Sequence, residues 1–186
     1  MSERPAGLAA QQRALLALLK DRPLAGQVDP YLDSVRNSKG LATQRMIAAW
    51  WRRFDVERLA PLTSRALGHA GRLDDALTRL QRDPDTPPGM AAVAMHFLEH
   101  HVADSDPLIA AVASTEQALT LVARGDRSRH EVAWDCDPAP VLDALLAGRQ
   151  PERLVQAAFR VHVSADLPAL IAVEPIGDEC LNEVAD

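Results

Sequence analysis

Apolar positions recur with helical spacing from Leu8 to about residue 125, and beyond it two short runs alternate as strands do. Leu8, Leu15, Leu16 and Leu19 share one side of a predicted helix over Ala6–Lys20, which Asp21-Arg22-Pro23 ends. Residues three and four apart stack on one helix face, so this spacing is the sign of an amphipathic helix. Asp29-Pro30 predicts the next start, with Asp29 as N-cap and Pro30 in the first turn. Asn37-Ser38-Lys39-Gly40 predicts its end. Leu41–Phe54 reads as the strongest helix of this half, with Leu41, Ile47, Ala48, Trp51 and Phe54 as a stripe expected to face a core. Trp50 lies about 100° round the helix from Trp51, so one of the pair is expected at the core margin or in an interface. Val56–Leu67, Leu73–Leu80, Met90–Val102 and Pro107–Val122 follow, separated by Gly, Pro or Asp-Pro breakers. Short helices with short links predict a bundle.

After Arg124-Gly125-Asp126 the pattern changes. Glu131–Trp134 reads as a strand, and Asp137-Pro138 starts a helix that runs through Leu145 and Leu146 to a Gly148 cap. Pro151–Gln156 reads as a helical or irregular turn. Phe159, Val161 and Val163 alternate with Arg160, His162 and Ser164, which predicts one buried and one wet face. Asp166-Leu167-Pro168 is the expected turn before a returning strand over Leu170–Val173. The expected fold is α+β, mainly α: a helical domain over 1–125, then a small antiparallel sheet with one or two helices over 126–176, and an acidic tail over 177–186.

Composition narrows the function classes. With 47% hydrophobic and 25% charged residues in 186, the chain reads as a soluble globular protein with room for one good core. No apolar run approaches the ~18 residues that span a bilayer. Leu15–Leu19 is too short for a signal-peptide core, so a cytoplasmic location is expected. The net charge of −6 disfavours nucleic acid as a partner, because phosphate contacts need a basic field. Two cysteines, Cys136 and Cys180, make no disulfide framework and read as free thiols.

His96-Phe97-Leu98-Glu99-His100-His101 is the one metal-like cluster. His96 and His100 are four apart and share a helix face, where they could chelate one ion, with Glu99 on the adjoining surface. Phe97 stands where a zincin helix carries its Glu, and no third ligand stands out; the competing reading is a solvated helix end favoured by the C-terminal dipole. Cys136 lies between Asp135 and Asp137, whose charges should raise the thiol pKa, so a small packed residue is expected rather than a nucleophile. No phosphate loop, nucleophile elbow or Ser/His/Asp order appears, and residue by residue there is no positive case for an enzyme.

The order of elements resembles a family of small companion proteins of multinuclear non-haem iron oxygenases, such as the partner subunits of methanobactin and 3-thiaglutamate biosynthesis. The residues that carry the resemblance are Tyr31-Leu32-Asp33-Ser34-Val35-Arg36, Ala48-Ala49-Trp50-Trp51-Arg52-Arg53-Phe54, Ala113-Ser114-Thr115-Glu116-Gln117-Ala118-Leu119, Val132–Pro138 and Phe159–Val173. It implies a non-catalytic accessory subunit that holds no metal or cofactor of its own. Iron in the partner oxygenase would oxidise a cysteine of a ribosomally made precursor peptide, while this chain binds the leader and presents the core. A small sheet with an open edge can take an extended peptide as an added strand, which points to Val132, Trp134, Arg160 and His162 as the peptide site. Trp50, Trp51 and Arg52 are the expected oxygenase interface, since Trp and Arg are enriched at interface hot spots. Two other readings stay open: a helical metalloenzyme on His96, Glu99 and His100, and a DNA-binding regulator.

Overall fold

The computed structural model describes residues 7–24, 30–152 and 154–176. Asp29, Cys180 and the acidic tail over 177–186 lie outside the described residues. In chain order the elements are α1 Leu8–Leu19, α2 Pro30–Arg36, α3 Lys39–Leu59, α4 Pro61–His69, α5 Leu73–Arg82, α6 Met90–His101 and α7 Pro107–Ala123. They are followed by β1 His130–Cys136, α8 Pro138–Leu146, β2 Gln156–Val163 and β3 Ile171–Pro175. The expected α+β, mainly α class is the observed one. The described residues fall into two compact units, one within Met1–Asp55 and Asp74–Thr86, the other within Val56–Leu73 and Pro87–Asp186. That division does not follow the one at residue 125 suggested by the change from helix to strand. The sheet packs against α7, and α8 packs against α4.

In the first unit Leu18, Leu32 and Leu41 form a small core, with Ala14, Leu24 and Val35 packed against it. Carbonyls at helix C-termini lack intrahelical donors, and arginines supply them here. Arg45 donates from Nε to the Leu18 carbonyl at 2.8 Å, and Arg22 donates to the Arg82 carbonyl at 2.9 Å and to that of Asp83. Asp21 accepts from both Arg45 and Arg82, at 3.1 and 2.8 Å. The break expected at Asn37–Gly40 is shorter: Ser38 Oγ accepts from the Leu41 amide at 3.1 Å and caps α3, so Lys39 and Gly40 are already helical. α3 then runs unbroken past Asp55 for 21 residues, so the boundary expected there falls instead at Ala60, before α4. Its expected core stripe is also corrected. Leu41 is buried, but Ile47, Trp51 and Phe54 are exposed.

In the second unit α7 is the central element, packing against α4, α6, β1 and β2. Its buried face (Ile109, Ala111, Val112, Ala113, Ala118 and Val122) is rich in small residues, which lets neighbours approach closely. Asp106 caps it as expected, accepting from the Leu108 and Ile109 amides at 3.0 and 3.4 Å. Asp137 does the same for α8 through the Ala139 amide at 3.0 Å. Gly148 follows α8 with φ of 70°, a conformation that strains any residue with a Cβ. The sheet order is β1-β2-β3, antiparallel throughout. Val132 stands opposite Val161, and Trp134 opposite Phe159. Val132, Trp134, Val161 and Val163 are all buried, consistent with a core face laid on α7.

Candidate functional site

β2 is the middle strand, paired with β1 on one side and β3 on the other. Its backbone therefore has no open edge, which removes Phe159–Val163 from the surfaces that could receive an added strand. Among the described residues β1 and β3 each pair with β2 alone, so the sheet has two outer edges, and the one on β1 adjoins a bulge and a cavity. The register slips between Trp134 and Cys136, leaving Cys136 opposite Gln156. Such a bulge bends a strand and re-aims its side chains. Beside it lies a cavity of about 220 Å³ lined by Leu108, Ala111, Trp134, Cys136, Leu154 and Gln156, with Asp106 and Asp135 also on its wall. The walls are mostly apolar, with few polar groups to fix orientation, as in sites for apolar side chains.

The expected peptide residues divide accordingly. Val132 and Trp134 point into the core. The Trp134 indole donates from Nε1 to Thr115 Oγ1 at 3.1 Å, so its polar atom is satisfied within the protein. What Trp134 offers outside is its part of the cavity wall. His162 was expected on a wet face and is 5% exposed, with Ser164 also buried. The alternation itself is kept; carboxylates and guanidinium groups cover the polar face. His162 Nε2 lies 3.0 Å from Glu174 Oε2, and Nδ1 lies 3.4 Å from Glu131 Oε1. Arg129 Nε donates to the same Nδ1 at 3.3 Å. Arg160 remains exposed, with Nε 3.8 Å from Glu131 Oε2.

Two buried carboxylates, Asp104 and Glu116, tie segments of the second unit together. Asp104 accepts from both Arg72 nitrogens at 2.9 Å and from the Asp106 amide at 3.0 Å, and its Oδ2 lies 3.0 Å from His101 Nδ1. Burial alone would raise its pKa, but these hydrogen bonds and the Arg72 charge outweigh that and hold it at about 2. Glu116 accepts from the Leu62 and Thr63 amides at 2.8 Å each, at the start of α4. Burial dominates there and pushes its carboxyl above the usual range despite both bonds. The signal for Glu116 is an acid inside the apolar run of α7, where a buried charge needs donors. Cys136 is a buried thiol whose pKa is raised by burial and then by Asp135 and Asp137, as the sequence suggested.

On α3 of the first unit Trp50, Trp51 and Phe54 are 57%, 53% and 42% exposed, and Met46 and Ile47 are exposed beside them. At about 100° per residue these five span an arc of about 140°, one face of the helix. The rings hold one another: Trp50 stacks on Phe54 with centroids 5.9 Å apart, and Trp51 meets Trp50 edge-on at 4.9 Å. Arg52 is half-buried, with Nη1 3.5 Å from the Leu80 carbonyl, and burial lowers its pKa. A groove of about 230 Å³ runs beside Trp50, lined also by Arg53, Asp74 and Leu77. Arg53 Nη1 donates to Asp74 Oδ1 at 2.7 Å.

The histidines of α6 are close together: Nε2 of His96 and Nε2 of His100 are 3.2 Å apart, on rings inclined at 80°. Glu99 lies on the other side of the first ring, its Oε2 3.8 Å from His96 Nδ1. No described helix is long and apolar enough to cross a membrane.

Fold and site together define a mainly helical α+β protein with an edge strand over an apolar cavity and an exposed aromatic helix face. No family model matches the chain, and comparison with curated proteins and with solved structures finds no match either.

Proposed function

We propose that this chain is a non-catalytic partner subunit. It binds the leader of a ribosomally made precursor peptide and presents the core cysteine to a multinuclear non-haem iron oxygenase. The observation that carries the reading is β1: one edge without a strand partner among the described residues, ending at a bulge beside an apolar cavity of about 220 Å³. A peptide added along that edge gains main-chain hydrogen bonds from β1 and places one apolar side chain against Leu154 and Leu108. This differs from the site expected from sequence, since the β2 backbone is occupied and the Trp134 and Val132 side chains are internal. The oxygenase contact belongs on the α3 face. Monomers rarely leave a contiguous aromatic patch in water, and large rings held against one another lose little entropy on docking. The iron stays with the oxygenase, and this chain supplies binding and orientation, which can account for several orders of magnitude in rate.

The test is co-expression with an iron oxygenase and a short cysteine-containing precursor encoded beside this gene, followed by size-exclusion chromatography. The expected result is a ternary complex that loses the peptide, and keeps the oxygenase, when exposed Leu154 is changed to Glu. Trp50→Ser with Trp51→Ser should release the oxygenase and leave the fold intact by circular dichroism. Separate elution of the wild-type components, or the lack of such gene neighbours, would overturn the reading.

A further inference from the structure

The geometry points to a divalent transition-metal site on the last turns of α6, with His96 and His100 as ligands through Nε2 and Glu99 behind His96. This site is independent of the peptide and oxygenase surfaces. Zinc and similar ions bind imidazole nitrogen at about 2.0–2.1 Å, so two nitrogens on one tetrahedral ion are about 3.3 Å apart. The Nε2 atoms of His96 and His100 are 3.2 Å apart. Spacing by four on a helix stacks the two side chains, and the two rings are inclined at 80° with centroids 4.6 Å apart.

The second observation concerns the far side of His96. A metal-bound imidazole carries its proton on the other nitrogen and commonly gives it to a carboxylate, which fixes the ring and raises its basicity. Glu99 Oε2 lies 3.8 Å from His96 Nδ1, an ion-pair distance that a small rotation of its exposed side chain closes to a hydrogen bond. Glu99 is thus the supporting acid, not a ligand. The position of α6 fits as well: the negative end of a helix favours a cation near His100. Two imidazoles select zinc, cobalt, nickel or copper and exclude magnesium and calcium, which need oxygen donors. Water can fill the remaining positions on the ion, since the His100 side lies at the surface. A hydrogen bond across this 3.2 Å contact places a proton on one Nε2, so ion uptake requires that ring to carry its proton on Nδ1 instead.

The experiment uses the untagged full chain, stripped with chelator and titrated with cobalt(II) and zinc(II) by absorption and calorimetry. One equivalent should bind, with a rise in Tm on adding zinc. His96→Gln and His100→Gln should each weaken binding by more than about 100-fold and abolish the Tm rise, and Glu99→Gln should cost about 10-fold. His162→Gln, remote on the sheet, should leave uptake unchanged. Magnesium should give no Tm rise. Uptake that survives both α6 histidine variants, or none in the folded wild-type chain, would overturn the assignment. Neither result bears on peptide or oxygenase binding, which is read by co-elution.

Discussion

Asp104 and Glu116 occupy opposite electrostatic settings, and they give the protein opposite pH responses. Asp104 titrates at about 2 when folded and near its ordinary 3.8 when unfolded, so its contribution is present above pH ~4 and is lost as pH falls toward 2. With about 1.4 kcal/mol per pKa unit, that contribution is roughly 2 kcal/mol. Glu116 is raised by burial, so the folded state binds its proton more tightly than the unfolded one. Its stabilising effect is present below its ordinary 4.5 and is lost as pH rises through the raised folded value. Urea unfolding from pH 2 to 7 should show both slopes. Asp104→Asn should flatten the first and Glu116→Gln the second; a profile unchanged by both variants would contradict these assignments. Trp134 makes a third residue-scale case. Thr115→Val leaves the buried indole N–H without its acceptor and should cost about 1–3 kcal/mol in the same assay. Burial of Trp134 was legible in its strand, but the partners in these three roles were not. Each depends on a partner brought from another element: Arg72 for Asp104, the α4 amides for Glu116 and Thr115 for Trp134.

Elements whose limits are set locally were legible. Asp106-Pro107 and Asp137-Pro138 each carry acceptor and fixed φ within one turn, and both start helices as expected. Asp106→Ala should therefore destabilise the second unit by about 1 kcal/mol, measurable as a lowered urea midpoint at unchanged m-value. Ser38 escaped notice because Lys39-Gly40 reads as a breaker, although its hydroxyl reaches the Leu41 amide and starts α3 early. The stripe Ile47, Trp51 and Phe54 has helical period, and period says which residues share a face without saying what covers it. The same limit applies to β2. Alternation put Val161 and Val163 on one face and Arg160 and His162 on the other, yet burial runs unbroken over Val161, His162 and Val163. Strand order then made β2 central, and Glu131, Glu174 and Arg129 closed over His162. Sheet topology and cross-strand cover are not written into any single strand.

At the scale of the whole chain, the two units carry different surfaces. The first presents five exposed apolar side chains on one helix face, and the second an edge strand with a cavity at its bulged end. A protein that only had to fold would gain by covering both, and the proposed docking role accounts for them together. Under the proposed reading the two bindings are separable: the α3 face should govern oxygenase affinity, and β1 peptide affinity. Fold class was legible because helical and strand periods occupy different stretches of the chain. Of the proposed site only the strand β1 was legible, since the bulge and the cavity arise where β1, β2 and the start of α7 meet. Hydrogen–deuterium exchange of the chain with and without the proposed precursor peptide tests the central claim most directly. Backbone amides over His130–Cys136 should exchange more slowly in the complex, while those of β3 stay unchanged. Protection confined to β3 or to α3, with β1 exchanging as before, would contradict it.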